Sequence, residues 1–374
     1  MSEQTTTKSP GRFGRLYQGL TSIDFVGRRK IWFTISLLII VAGASSLGIR
    51  GFNLGIDFKG GSSWEVLAPH ATVQQMTNAA ESAGLSQPTV TKLGSSTFEV
   101  EGDLNALSPS QQTTVTDNVV NAMAKVAKVN SDQVSTSSVG PTWGAGITHR
   151  ALEALIAFFI AVLIYISARF EPKMALAAFA AMVHDLLVTI GVYSLFGFQV
   201  TPDTVIAILT ILGYSLYDTV VVFDRVRDNS RGVLNNGNMT YSEMINLSMN
   251  QTLARSINTS LVAILPVLSV LLVGAYILGA TTLQNYGLAL FVGLVSGAYS
   301  SIFIASPLLA VLKEREPRFK DLRLRVASRT DRLVLTPAAA AAMTNERGTT
   351  TRETATGTAR SNVIQARARK QKRR

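Results

Sequence analysis

The chain has 374 residues, 47% hydrophobic and only 16% charged; a soluble domain carries about 25% charged residues, so much of this chain sits in lipid. It has no cysteine, which excludes disulfides, thiolate metal sites and cysteine nucleophiles. The net charge of +11 does not point to nucleic acid, because seventeen of the thirty-five Lys and Arg residues lie after Leu312, in a tail rather than a groove.

Six stretches are long enough to cross a hydrocarbon core, which takes about 20 apolar residues in a helix. In chain order they are Ile31 to Ile49, Ala151 to Ala168, Met174 to Phe198, Thr204 to Phe223, Thr259 to Leu283 and Asn285 to Leu312. The first follows a tail, residues 1–30, that ends on Arg28, Arg29 and Lys30. A cleaved leader is the rival reading, but the apolar run exceeds the roughly 7–15 residues of a signal-peptide core. Lys and Arg then orient the spans. Six lie in the amino-terminal tail, Arg169 and Lys173 follow the second span, and Arg225, Arg227, Arg231 and Arg255 lie between the fourth span and the start of the fifth. The loops at 197–203 and 280–284 have neither. By the positive-inside rule both termini are expected in the cytoplasm and residues 50–150 outside it.

Between spans one and two the texture is that of a globular domain. Periodicity predicts a strand at Ser62 to Ala68, a helix at Thr72 to Ala83, and strands at Thr89 to Leu93 and Thr97 to Glu101. A helix at Ser108 to Lys128 and a strand at Gln133 to Val139 follow. That βαββαβ order is the ferredoxin-like pattern. The expected fold is therefore an α-helical polytopic membrane protein of six transmembrane helices with one α+β ferredoxin-like extracytoplasmic domain. In the segment 225–258, Thr240 and Glu243 form a capping-box pattern, and Met244, Leu247 and Met249 suit a helix at the membrane surface. It reads as an interfacial connector or as a docking surface for a cytoplasmic partner. Residues 313–374 are basic and poor in hydrophobics, which predicts a disordered tail attracted to anionic membrane lipids.

Ionisable side chains within a span are costly, so each is a functional candidate. Span three carries His184 and Asp185, and span four carries Asp218. Helical spacing sets Tyr214 or Ser215, Asp218 and Arg225 on one face. Asp218 has two readings: a packing group, paired with Arg255 or Arg225 or neutral and hydrogen-bonded, or a carrier in a proton relay. Desolvation and a nearby cation act on a buried carboxyl in opposite directions, the balance a carrier needs. His184 and Asp185 have the same two readings, and as neighbours they point in different directions. Asp224, Arg225, Arg227 and Asp228 sit where charges are cheap and suit interface anchoring. Gly191, Gly213, Gly293 and Gly297 suit close helix approach, and Pro266 and Pro307 suit kinks. Three histidines without ligand spacing and no phosphate-binding Gly-Lys-Ser/Thr loop predict no metal, no cofactor and no enzymatic activity.

Three strings carry a resemblance. Gly55-Ile-Asp57-Phe58-Lys-Gly60-Gly61 follows the first span, the run from Gly213 through Tyr214, Ser215, Asp218, Thr219, Asp224 and Arg225 to Arg227 lies in the fourth, and Gln251 to Ser260 opens the fifth. In these places they resemble the signatures of the SecF branch of the SecD/SecF protein-export family, within the resistance-nodulation-division superfamily. The match covers residues 20–315. The resemblance implies a subunit that pairs with SecD and assists the SecYEG channel, meeting SecA and preproteins indirectly. Proton flow would drive movements of the extracytoplasmic domains. It assigns the intramembrane acid to Asp218 and the functional arginine to Arg255. Tyr217 stands where many relatives have Asn, which alters the surroundings of the acid. A stand-alone exporter of small molecules or lipids and a non-transporting scaffold are the competing functions. Six spans with one domain make half of a typical superfamily transporter, which favours a heteromer.

Overall fold

The structure is a computed structural model describing residues 21–236, 239–277 and 281–328. Among these residues are six helices long and apolar enough to cross a membrane: Arg29–Arg50, Thr142–Arg169, Pro172–Phe196, Pro202–Ser230, Tyr241–Gly274 and Leu283–Glu314. The protein is thus a multi-pass membrane protein.

Span one is α1 (Arg29–Arg50). It buries Ser36, Gly43 and Ser46 and exposes Leu37, Leu38, Ile39 and Val41, the inverse of a soluble helix. Lipid takes the leucines, and small residues let helices approach. A Cβ on Gly43 would lie 2.4 Å from Gly191 Cα, so α1 crosses span three, α6 (Pro172–Phe196), at a glycine pair. After α1 come β1 (Asn53–Leu54), the single turn α2 (Ile56–Lys59) and the soluble domain.

That domain consists of β2 (Gly61–Leu67), α3 (Val73–Ser82), β3 (Thr89–Leu93), β4 (Thr97–Gly102), α4 (Pro109–Ala127) and β5 (Ser135–Val139). The sheet order is β3-β4-β2-β5 and every pairing is antiparallel. Trp64 faces Val100 and Val66 faces Phe98 across the ladder. These four side chains pack against Met76 and Ala80 of α3 and Val119 and Met123 of α4. Both helices start where the sequence places them and open on capping boxes, Thr72 with Gln75 and Ser108 with Gln111. The last strand starts at Ser135 rather than Gln133, because Ser131–Gln133 forms a 3-10 turn.

Span two is α5 (Pro141–Arg169), and span four is α7 (Pro202–Asn236). Both outrun the expected apolar stretches, since hydropathy marks the thickness of lipid and not the end of a helix. α8 (Tyr241–Ser269) continues into a π-helical segment, Val270–Ile277. Span six comprises α9 (Thr281–Ser300), a π-helical segment at Ser301–Ala305 and α10 (Ser306–Glu314). Pro307, which has no N–H to donate, lies two residues beyond the end of that π segment.

Three expectations change. The surface helix is not a separate element, because α8 is one rod from its Thr240 cap through span five. Met244 and Met249 belong to the buried core with Leu309 and Ala310 of α10 rather than to a lipid-facing stripe. Residues 313–327 are not part of a disordered tail: α11 (Pro317–Ala327) buries Phe319, Leu322 and Val326. The rest of that tail, residues 329–374, lies outside the described residues. Gly213, expected at a close approach, has open space beside it.

Candidate functional site in the membrane interior

α9 runs along α7 at Gly293 and Gly297. A Cβ on Gly293 would lie 2.3 Å from Ile211 Cδ1, and one on Gly297 would lie 2.9 Å from Ser215 Cβ. This close approach brings the span-six serines to the acids of spans three and four. Asp185 is 1% exposed. Ser296 Oγ donates to its Oδ1 at 2.8 Å, and Ser215 and Ser300 donate to its Oδ2 at 2.5 and 2.7 Å. His184 Nδ1 lies 3.1 Å from Oδ1. Four polar atoms thus meet the lone pairs of one carboxylate, three of them from other helices.

Asp218 is equally buried, at 3% exposed, but is held differently. Among the described residues its carboxylate receives one hydrogen bond, from Ser301 Oγ at 2.5 Å, and makes no ion pair. Among the described residues neither Arg255 nor Arg225, the partners offered by one form of the packing reading, pairs with it. Arg255 is exposed, and Arg225 Nε donates to Gln251 Oε1 at 2.8 Å. Asp224 pairs with Arg227 at 2.8 Å. Tyr214 donates to the Thr259 carbonyl and Thr219 to the Ser215 carbonyl, both tying backbone rather than acid. His184 stacks on Tyr299, and its Nε2 is buried without a hydrogen-bond partner among the described residues.

Of the candidates, His184, Asp185, Ser215 and Asp218 come together and Arg255 does not. Ser296, Ser300 and Ser301 were missed. Their signal was available: hydroxyls at i, i+4 and i+5 in an apolar span, a face that lipid does not reward.

The motif after span one forms a joint between the soluble domain and the membrane helices. Gly55 N donates to the Val200 carbonyl, and β1 pairs in parallel with β6 (Gln199–Val200) from the loop after span three. Gly60 and Gly61 have φ of 78° and 135°, where side chains are strained. A Cβ on Gly144 would lie 2.7 Å from the Phe58 carbonyl, so span two presses on this turn. Glu101 of β4 accepts from the Gln199 side chain and the Ile56 amide. Burial holds Asp57 above the usual carboxylate range, with Asp203 adding repulsion. Glu99 is pushed up to about 7, by burial first and then by Glu101, Glu65 and Asp57.

These features define a six-span membrane protein with an α+β soluble insert after the first span and a buried two-carboxylate cluster in its core. The chain belongs to the SecD/SecF family of protein-export membrane proteins. Residues 118–315 match the family described as protein export membrane protein SecD/SecF, C-terminal, and residues 45–66 match the SecD/SecF GG motif. It is 45% identical to the protein translocase subunit SecF of Streptomyces coelicolor, over 84% of this chain and 83% of that one. With the protein of the same description from Mycobacterium tuberculosis strain H37Rv it shares 40% identity, over 87% and 76%. The crystal structure of SecDF from Thermus thermophilus, described as a translocon-associated membrane protein, superposes with a TM-score of 0.70 at 31% identity. That match covers 79% of this chain and 39% of SecDF, so the chain spans about two fifths of that protein.

Proposed function

We propose that this protein is the SecF-type half of a two-part export device, acting with a SecD partner to assist preprotein passage through a SecYEG channel on the proton motive force. The single observation that carries the proton-handling part is Asp218: a carboxyl buried between spans four and six, held by one hydroxyl, with no cation paired to it among the described residues. An acid left unpaired in lipid is expensive, and a use for it outweighs that cost. The partnership is supported by relatives called SecDF, such as that of Bacillus subtilis. This chain matches 38% of that protein at 36% identity, so the relative holds more chain than this one supplies. Exposed Arg255 faces the partner in this reading, where an acid of SecD would meet it.

The soluble domain is ferredoxin-like, a reading supported by its βαββαβ order and all-antiparallel sheet. It lies on the outer face of the bacterial inner membrane, and both termini lie in the cytoplasm, on the distribution of Lys and Arg. SecA and preproteins are met through the channel, membrane lipids directly, and the role is not enzymatic.

The test is Asp218→Asn, which keeps volume and a hydrogen-bonding group but cannot exchange a proton. The expected variant inserts, pairs with SecD and remains abundant, yet loses the part of export that depends on the proton gradient. Gradient-dependent export at the wild-type level would rule out the carrier role.

A further inference from the structure

Ser300 and Ser301 are consecutive, yet each donates to a different acid, Ser300 to Asp185 Oδ2 and Ser301 to Asp218 Oδ2. Consecutive side chains on an α-helix diverge by about 100°. They diverge here at the point where the helix turns into the π segment Ser301–Ala305, a local form frequent at functional sites. Span four closes the circuit. Ser215, three residues before Asp218 and on the same face, donates to the Asp185 oxygen that Ser300 also reaches. The two acids are therefore joined twice, by neighbouring hydroxyls on span six and by one turn of span four.

They are also unequal. Asp185 is surrounded by three hydroxyls and His184, which leaves its oxygens little freedom to take a new partner. Asp218 has one hydroxyl, and a serine hydroxyl can either donate or accept. Ser301 can donate to Asp218 in its ionised form and accept from it in its protonated form by rotating about one bond.

We propose that Asp185 and Asp218 work as one unit, Asp185 as a fixed acid that holds Ser215 and Ser300 in place and Asp218 as the acid that exchanges the proton against Ser301. Ser300 and Ser301 are positioning residues. Of the titratable groups, Tyr214 on the same helix interacts electrostatically with Asp218, Asp185 of span three is linked to it through Ser300 and Ser301, His184 meets Asp185 and stacks on Tyr299, and Arg255 of span five is exposed and makes no ion pair with it among the described residues. This unit deepens the proton-handling reading above and rests on it for its purpose, but its existence can be tested without export.

The experiment is pH-titrated infrared difference spectroscopy of the carboxylic C=O band on the full chain in lipid nanodiscs. One titrating band should vanish in Asp218→Asn. Its midpoint should move by about one pH unit in Ser301→Ala and in Asp185→Asn, since each disturbs a hydrogen bond to a charged group. Ser301→Thr, which keeps the hydroxyl, should restore the wild-type midpoint, a rescue that a merely structural role would not produce. A band at the wild-type midpoint in both Ser301→Ala and Asp185→Asn would overturn the coupling. A band lost in Asp185→Asn but kept in Asp218→Asn would overturn the assignment of roles. Coupled titration together with full gradient-driven export in Asp218→Asn would uphold the unit and remove its proposed purpose.

Discussion

Carboxylates leave water in two regions of this protein, and the two treat them in opposite ways. In the membrane interior Asp185 and Asp218 are met by hydroxyls from Ser215, Ser296, Ser300 and Ser301. On the sheet face turned away from α3 and α4, Glu99 is met chiefly by other acids, Glu101, Glu65 and Asp57. Glu101 is intermediate, with the Gln199 amide and the Ile56 N–H to answer it. A charge in lipid cannot borrow water, so its donors must be built into the helices. A crowded acid beside water can take a proton instead, and Glu99 does so near neutral pH.

The comparison predicts opposite signs for the same kind of change. Asp185→Leu removes the acceptor for three buried hydroxyls, and a stranded buried donor costs about 1–3 kcal/mol. Ser300 keeps the Gly297 carbonyl, so two donors are stranded and the expected loss is at least about 2 kcal/mol, read as a lower unfolding temperature of the full chain in nanodiscs. A variant as stable as wild type would break the claim that the hydroxyls depend on this acid.

Glu99→Gln should instead stabilise. The folded carboxyl titrates near 7 against an ordinary 4.5, so the folded state binds the proton more tightly than the unfolded chain. The stability from this group is full below pH 4.5 and is lost as pH rises to about 7. At pH 8 the substitution should add on the order of 2 kcal/mol, and little at pH 4. Trp64 sits wholly inside the domain core and reports its unfolding by fluorescence once Trp32 and Trp143 are replaced by Phe. Equal gains at both pH values would show that ionisation of this buried and crowded carboxyl is not the cause.

Where local spacing decided the structure, the sequence was legible. Thr72, Ser108 and Thr240 mark helix starts because a cap needs only its own side chain and a neighbour three residues on. The Gly94 to Ser96 turn between β3 and β4 is equally local. The pairing of Asn53 and Leu54 with Gln199 and Val200 joins segments far apart in the chain and leaves no periodic trace. The candidate site divides in the same way. Asp185 and Asp218 announce themselves because an acid in an apolar run is rare. Ser300 and Ser301 do not, since serine in a span usually bonds its own helix backbone, as Ser260 does to Ser256. Only the approach of α9 to α7 at Gly297 shows that these two reach carboxylates.

The smallest predicted effect is at Ser296, which donates to Asp185 Oδ1 at 2.8 Å. After Ser296→Ala that oxygen still has His184 Nδ1 at 3.1 Å, and Oδ2 keeps Ser215 and Ser300. Side-chain hydrogen bonds between helices in membranes contribute about 0.6 kcal/mol on average, because the unfolded chain in lipid also finds partners. Ser296→Ala should therefore lower stability by about that amount, measured by equilibrium unfolding of the full chain in mixed micelles, and leave the Asp218 infrared midpoint in place. A loss above about 2 kcal/mol would mean that the donors around Asp185 strengthen one another as a network. The contrast with Glu99 would then lie in cooperation between hydroxyls from two spans around one acid rather than in their number.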